Sequence, residues 1–128
     1  MRLFAPTLEA QAHCDLPCGV YDPAQARIEA QSVKAIIEKV ADNDDPDFKV
    51  RATIIKEQRS QLVKEHLWVL WTDYFKPPHV EQFPQLHDLF WRATKAAGDA
   101  KKSNDEADAQ KLLYLIDEIA EIFAETKK

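Results

Sequence analysis

Only two of the 128 residues are glycine, Gly19 and Gly98, and this scarcity limits the folds open to the chain. Tight turns between strands commonly need glycine, because glycine adopts positive φ angles at no steric cost. A sheet-rich fold is therefore disfavoured, and long helices are favoured. The length suits one domain with a single core, and 45% hydrophobic with 30% charged residues is an ordinary globular balance.

The first two of four predicted helices begin at similar signals. Asp22-Pro23 offers a capping aspartate followed by a proline, which fits the first position of a helix. This helix is predicted to run to about Ala41. The turn Asn43-Asp44-Asp45-Pro46 repeats the signal. The second helix could continue to about Tyr74, because Pro77-Pro78 stops it.

The other two helices are predicted from near Pro84 to Gly98, and from Ser103-Asn104-Asp105-Glu106 to about Glu125. Their apolar residues recur every three or four positions, as in helices that pack against each other. These stripes are Phe83, Leu86, Phe90, Ala93 and Ala97, then Ala109, Leu112, Ile116, Ile119 and Phe123. With short connections, they favour an all-α fold, an up-down-up-down four-helix bundle over residues 22–128.

Polar residues interrupt the predicted core stripes of the first two helices. The stripes are Ala26, Glu29, Val33, Ile36 and Val40, then Phe48, Ala52, Ile55, Arg59, Leu62, His66 and Val69. Because an isolated buried charge is destabilising, Glu29 and Arg59 are natural partners for each other. The pair could set the helix register, which the pattern alone favours, or support a site near the start of the first helix. His66 fits an ordinary core histidine.

Charge and hydropathy argue against two kinds of partner. The net charge of −5 disfavours generic nucleic-acid binding, which needs a basic surface. No apolar run approaches the roughly 20 residues that cross a bilayer. We therefore expect neither nucleic acid nor membrane as a partner.

The first twelve residues are interpreted as a leader. They end in Ala10-Gln11-Ala12, similar to the small-x-small pattern before a signal-peptidase cut. Pro6 and Glu9, however, interrupt the apolar centre that an export signal needs. Residues 1–12 are therefore expected to be removed in the cytoplasm by a maturation protease, and the protein is expected to be cytoplasmic. A disordered N-terminal tail is the alternative.

Both cysteines of the chain, Cys14 and Cys18, lie within six residues that begin with His13. A disulfide across so short a loop would stabilise little, so chemistry at sulfur explains the pair better. Pro17 and Gly19 flank Cys18 and let the backbone turn so that both sulfurs reach one centre. Zinc would be the default metal, but structural zinc usually takes four side-chain ligands, and here there are three.

Cleavage after Ala12 would increase the number of donor atoms. It would give His13 a free α-amine, and the amide nitrogen of Cys14 can bind a metal once it is deprotonated. With the two thiolates, these atoms make a plane of two nitrogens and two sulfurs, which suits nickel(II) or copper(II). The His13 imidazole would remain free to approach along the axis.

These residues and others along the chain resemble the nickel superoxide dismutase family. The resemblance rests on residues 13–30, on Arg51-Ala52-Thr53 with Lys56-Glu57-Gln58-Arg59, on residues 71–79 and on the terminal Glu125-Thr126-Lys127-Lys128. It covers essentially all of residues 13–128. Gln31 departs from the pattern, since glutamate is expected there.

The resemblance implies that residues 13–21, called the hook below, bind one nickel ion per subunit. The ligands would be the amine and imidazole of His13, the amide and thiolate of Cys14, and the thiolate of Cys18. Asp15 and Pro17 would shape the hook.

The resemblance also implies roles for residues outside the ligand set. Glu29 and Arg59 would hold the His13 ring, while Tyr21 and Tyr74 would line the narrow approach to the metal. Members of the family assemble as hexamers of four-helix bundles, so a homohexamer is expected.

The implied activity is that of an antioxidant oxidoreductase, which converts superoxide to dioxygen and hydrogen peroxide by cycling nickel between its +2 and +3 states. Lys76 could steer the superoxide anion, or could be a solvated lysine at a helix end. A non-catalytic nickel or copper carrier with the same hook is the alternative function. An interaction bundle with an incidental cysteine pair is a weaker one.

Overall fold

Helices account for most of residues 19–128, the part of the chain that the computed structural model describes. They are α1 (Ala24–Ala41), α2 (Pro46–Val69), a five-residue π-helical turn (Leu70–Tyr74), α3 (Pro77–Gln82), α4 (Leu86–Lys102) and α5 (Glu106–Thr126). Within these described residues, no helix has the length and apolar character that crossing a membrane requires.

The four long helices form the predicted up-down-up-down bundle. Helix α1 packs against α2 and α5, and α4 packs against the same two helices, so each long helix has two principal neighbours. The predicted stripes of α4 and α5 supply much of the core. Leu86, Phe90, Ala93 and Ala97 of α4 are buried, as are Ala109, Leu112, Ile116, Ile119 and Phe123 of α5, whereas Phe83 is half-buried.

Capping aspartates explain why the predicted helix starts are correct. The carboxylate of Asp22 accepts a hydrogen bond from the Ala24 amide at 2.7 Å. Asp45 accepts from the amide of Asp47 at 3.2 Å, and Asp105 accepts from the amide of Ala107 at 2.9 Å. Each bond satisfies an amide at a helix start that has no partner within the helix.

One predicted boundary is wrong, and one short helix was not predicted. Helix α4 does not end at Gly98 but continues to Lys102. A glycine inside a helix costs about 1 kcal/mol, and the burial of Ala96, Ala97 and Ala100 around it offsets that cost. In addition, Pro77-Pro78 ends the preceding helical segment but also begins the unpredicted α3, because proline fits the first turn of a helix.

The predicted core row of α2 is also wrong, because the buried row lies beside it. The buried residues are Ala52, Lys56, Ser60, Val63 and Leu67, and the row continues in Leu70. Small side chains at Ala52 and Ser60 let neighbouring helices approach, whereas apolar periodicity favoured the row with larger side chains. Arg59 is therefore exposed, and Leu62 and His66 are half-buried. In α1, similarly, Ala30 and Ile37 are buried, whereas Glu29, Ile36 and Val40 are half-buried.

Candidate metal centre

The predicted ligands His13, Cys14 and Cys18 lie outside the described residues, as do the leader and the first six residues of the hook. The described chain starts at Gly19, shortly before α1. The end of the bundle where α1 begins is therefore next to the predicted ligands in sequence. The up-down-up-down order brings the end of α2 and the end of α5 to this same end, called the hook end below.

Glu29 and Arg59 form the predicted pair. The Nη1 atom of Arg59 donates to both carboxylate oxygens of Glu29, at 2.9 and 3.1 Å. Only 13% of the Glu29 side chain is exposed, against 44% for Arg59. The prediction that both charges are buried in the core is wrong. The pair instead places a nearly enclosed carboxylate beside α2, with its counter-ion open to solvent.

Tyr74 lies where the chain leaves the π-helical turn, and it connects three elements of the hook end. Its hydroxyl is 2.6 Å from the hydroxyl of Thr126, in the last turn of α5. Its ring centroid is 4.5 Å from that of Phe123, and the ring stacks on His79 of α3 at 5.7 Å. Single π-helical turns often occur at functional sites, since they change the direction of side chains near a helix end.

Tyr21 precedes α1 and is half-buried against the same core that Tyr74 borders. The two tyrosines are thus both at the hook end, attached to different helices. Lys76 follows Tyr74 closely, and its ammonium group donates to the carbonyl oxygen of Asp73 at 3.0 Å. This bond gives Lys76 a structural role at the end of the π-helical turn.

A shallow cavity of about 460 Å³ lies beside this turn. Its lining comprises Trp71, Phe75, Lys76, Pro77, Val80 and Glu81. Lys76 contributes a positive charge and Glu81 a negative charge to this otherwise apolar lining. A steering role and a structural role for this lysine are both compatible with its position.

The contacts of Tyr74 with His79, Phe123, Thr126 and Lys127 were not predicted from the sequence. The ammonium of Lys127 lies 5.0 Å from the centroid of the Tyr74 ring. The antiparallel order of the four long helices places the end of α5 beside the end of α2. The sequence could therefore predict that these two helix ends are close, but not which side chains meet.

The donor chemistry of the chain points to residues 13–18. Among residues 19–128, no three His, Cys, Asp or Glu side chains come together as a metal site would require. Cys14 and Cys18 are the only cysteines in the sequence, so any thiolate ligand must come from the hook. Two thiolates combined with nitrogen donors fit nickel(II) in a planar site.

Comparison with known proteins gives a consistent result along the whole chain. A family model described as nickel-containing superoxide dismutase matches residues 8–127. A nickel superoxide dismutase of Streptomyces seoulensis is 65% identical over 127 residues, which are 99% of this chain and 97% of the relative. Its counterpart from Streptomyces coelicolor is 63% identical with the same coverage.

Solved structures agree with the fold. A native nickel superoxide dismutase structure superposes with a TM-score of 0.87 and 64% identity, over 91% of this chain and 100% of that chain. A nickel-containing superoxide dismutase with nickel ligation corresponding to the oxidised state gives a TM-score of 0.86 and 65% identity, over 90% and 98%.

Proposed function

This chain belongs to the nickel-containing superoxide dismutase family, and we propose that His13, Cys14 and Cys18 hold its nickel. It is therefore a nickel-dependent oxidoreductase that acts on superoxide. This family membership favours the enzyme over the non-catalytic metal carrier. The main support for the proposed site is the position of both cysteines in the hook. When bound, nickel supplies the one-electron oxidation and reduction that dismutation needs.

We propose that Glu29 orients the His13 ring. A carboxylate that accepts an N–H from an imidazole selects the ring tautomer and limits ring rotation. Arg59 restrains Glu29 with two hydrogen bonds from one nitrogen. Because Glu29 is nearly enclosed, its carboxylate keeps a fixed direction without being buried in the core.

Tyr21 and Tyr74 are proposed to narrow the approach to the metal. Their position at the hook end supports this, since both rings are half-buried against the core, Tyr21 just before α1 and Tyr74 at the end of the π-helical turn. Bulky aromatic rings there limit the size of a molecule that can enter. Lys76 adds positive charge that can attract a small anion over a short range.

Maturation is proposed to remove residues 1–12 in the cytoplasm through a protease, so that His13 acquires a free amine. The coverage of relatives supports this proposal. The superposition with the native nickel superoxide dismutase structure covers all of that solved chain and 91% of this chain, about 116 residues. Residues 13–128 of this chain have the same length. The Streptomyces relatives, in contrast, match 99% of this chain.

A homohexamer is proposed as the assembled form. Several large apolar side chains of α1 and α2 are exposed in the single chain: Ile28 by 58%, Val50 by 63% and Ile54 by 53%. A groove of about 310 Å³ between the same helices is lined in part by Ile36, Phe48 and Ile55. Contact between copies would remove this apolar surface from water.

Cysteine substitutions test the proposed ligands. In protein that begins at His13, Cys14→Ser and Cys18→Ser should each abolish superoxide consumption and the thiolate-to-nickel absorption band, because a hydroxyl is a poor ligand for nickel. The helical circular dichroism should not change, since the core lies in residues 22–128. Ala107→Ser, which introduces the same hydroxyl at an exposed residue in the first turn of α5, serves as the control. Full activity in either hook variant would contradict the site.

A further inference from the structure

We propose that Thr126 and Lys127, at the C-terminal end of α5, are positioning residues that fix the Tyr74 ring and the direction of its hydroxyl proton. The functional part of this inference rests on the proposed role of Tyr74 in the approach to the metal. The structural part rests only on contacts among described residues.

Two consecutive hydrogen bonds determine which atom donates at Tyr74. The hydroxyl of Thr126 donates to the carbonyl oxygen of Phe123 at 2.6 Å. A hydroxyl has only one proton, so Thr126 can only accept in its 2.6 Å contact with Tyr74. Tyr74 is therefore the donor. Its proton points at the C-terminal turn, and its oxygen keeps lone pairs for a donor that arrives from elsewhere.

Lys127 restrains the face of the same ring. Its ammonium lies 5.0 Å from the ring centroid of Tyr74 and 5.2 Å from that of Phe123. The two rings are themselves 4.5 Å apart, so one cation is shared between two adjacent aromatic faces. Lys127 also follows the last residue of α5, where the helix dipole favours positive charge.

Two rings that follow the π-helical turn restrict the rest of the Tyr74 ring. The ring of Phe75 meets Tyr74 edge-on at 5.0 Å, and that of His79 lies parallel to it at 5.7 Å. These contacts limit where the ring can move, but neither contacts the hydroxyl. Thr126 is what binds that group, so the C-terminal turn decides the direction of the proton.

This arrangement gives the last residues of the chain an effect on chemistry at the hook end. Helix ends usually fray where few contacts hold them. Here the terminal turn is attached to a tyrosine that borders the proposed approach. Loss of Thr126 or Lys127 contacts should therefore loosen Tyr74 as well as the terminus, and leave Tyr74 free to donate its proton elsewhere.

The test uses five variants of protein that begins at His13, and a sixth, Tyr74→Phe, that assigns the signal. Thr126→Val removes the hydroxyl at nearly constant shape, and Lys127→Met removes the charge but keeps an apolar stem. Thr126→Ser keeps the hydroxyl and Lys127→Arg keeps the positive charge. Lys128→Met is the matched control, because Lys128 is 74% exposed and pairs with Glu125 instead.

The first measurement is the resonance of the Tyr74 carbon that bears the hydroxyl, in nickel-free protein labelled with ¹³C at this atom. Tyr74→Phe assigns the signal among the three tyrosines. Thr126→Val and Lys127→Met should each move or broaden it, Thr126→Ser and Lys127→Arg should return it towards the original position, and Lys128→Met should leave it unchanged. An unmoved Tyr74 signal in both Thr126→Val and Lys127→Met would overturn the proposal.

The second measurement is superoxide consumption by the nickel-loaded variants. Losing a single cation–π contact or hydrogen bond should lower turnover about two- to tenfold, with recovery in Thr126→Ser and Lys127→Arg. A shifted Tyr74 signal with unchanged turnover would overturn the functional part. If the unmodified protein binds nickel but consumes no superoxide, the proposed function fails, and the Tyr74 signal still decides whether the C-terminal turn holds this ring.

Discussion

The two ends of the bundle use lysine in different ways. At the end opposite the hook, Lys56 is only 4% exposed and donates to the carbonyl of Ser103 and to the side chain of Asn104. It thereby holds the turn between α4 and α5. At the hook end, Lys76 and Lys127 lie at the surface beside aromatic rings. The buried lysine stabilises a turn, whereas the lysines beside the proposed approach to the metal are placed to attract an anion.

Stability and the proposed chemistry are therefore expected to be separated along the bundle. The contacts of the α4–α5 turn at the far end involve a lysine enclosed by the helices, Lys56. Contacts at the hook end involve partly exposed groups, such as Arg59 and Thr126. Substitutions at the far end should therefore change the free energy of unfolding, and substitutions at the hook end should mainly change activity.

The largest expected effect concerns the leader, which affects the hook end alone. Full-length protein and protein that begins at Ala12 should fold but bind no nickel in the active form, because the His13 nitrogen is then an amide and must lose a proton before it can bind. Protein that begins at His13 should bind nickel and consume superoxide. All three should show the same helical circular dichroism, since the core lies in residues 22–128.

The measurement is nickel content and superoxide consumption after incubation with nickel under reducing conditions. Protein that begins at Ala12 is the matched control, as it differs from the active form by a single residue. Equal superoxide consumption by all three forms would rule out a role for the terminal amine, even though the family assignment would stand.

The next effect concerns the pair of Glu29 and Arg59 at the hook end. Arg59→Ala should lower turnover about 10- to 100-fold, because Glu29, which is proposed to orient the His13 ring, then loses the arginine that restrains it. The free energy of unfolding should fall by about 1 kcal/mol or less, because Arg59 is 44% exposed and solvent screens the pair. Arg92→Ala is the matched control, since Arg92 is also 44% exposed and pairs with a carboxylate, that of Asp88 on α4. A loss of several kcal/mol at unchanged turnover would make the pair structural.

At the far end, the expected effect is on stability. Lys56→Met should lower the free energy of unfolding by about 1–3 kcal/mol, because the Ser103 carbonyl and the Asn104 side chain lose a buried donor. Nickel binding and turnover should remain. Chemical denaturation measures the change, and Lys102→Met, at an exposed lysine near the same turn, should be close to neutral. Lost activity in folded Lys56→Met would show that the two ends are coupled.

Much of this organisation could be predicted from sequence, where the signals are local. Aspartates at Asp22, Asp45 and Asp105 define helix starts through bonds to amides two residues away. The pairing of Glu29 with Arg59 was also predicted correctly, from the need of one charge for another. The premise that both charges are buried holds only in part, since Glu29 is 13% exposed and Arg59 44%, but the enclosed Glu29 alone is enough to require a partner.

The wrong or missing predictions concern burial and contacts that depend on neighbouring helices. Ser60 and Lys56 belong to the buried row of α2, but a row that contains serine and lysine does not look apolar in the sequence. Only the proximity of the α4–α5 turn gives Lys56 its partners. Likewise, Tyr74 and Thr126 are 52 positions apart, and nothing local to either residue predicts their contact.

The smallest expected effect is the pH dependence of the far end. Burial lowers the pKa of the Lys56 ammonium below its ordinary value, partly opposed by the charge of Glu57. Between the lowered folded pKa and the ordinary pKa of the unfolded chain, the unfolded state binds more protons. In that window, this group makes the free energy of unfolding rise with pH.

Lys56→Met removes this contribution, so the stability difference between the original protein and the variant should widen as the pH rises towards 10.5, the ordinary value for lysine. Other groups act in the opposite direction. Contacts with Glu38 and Glu106 raise the pKa of Lys34, and a hydrogen bond to Glu118 raises that of Tyr114, so their contributions decline as the pH rises. Both proteins contain these groups, and the difference cancels them. Denaturation of both proteins at several pH values above 7 tests this directly, and a difference that stays constant or narrows would mean that burial does not determine the ionisation of Lys56.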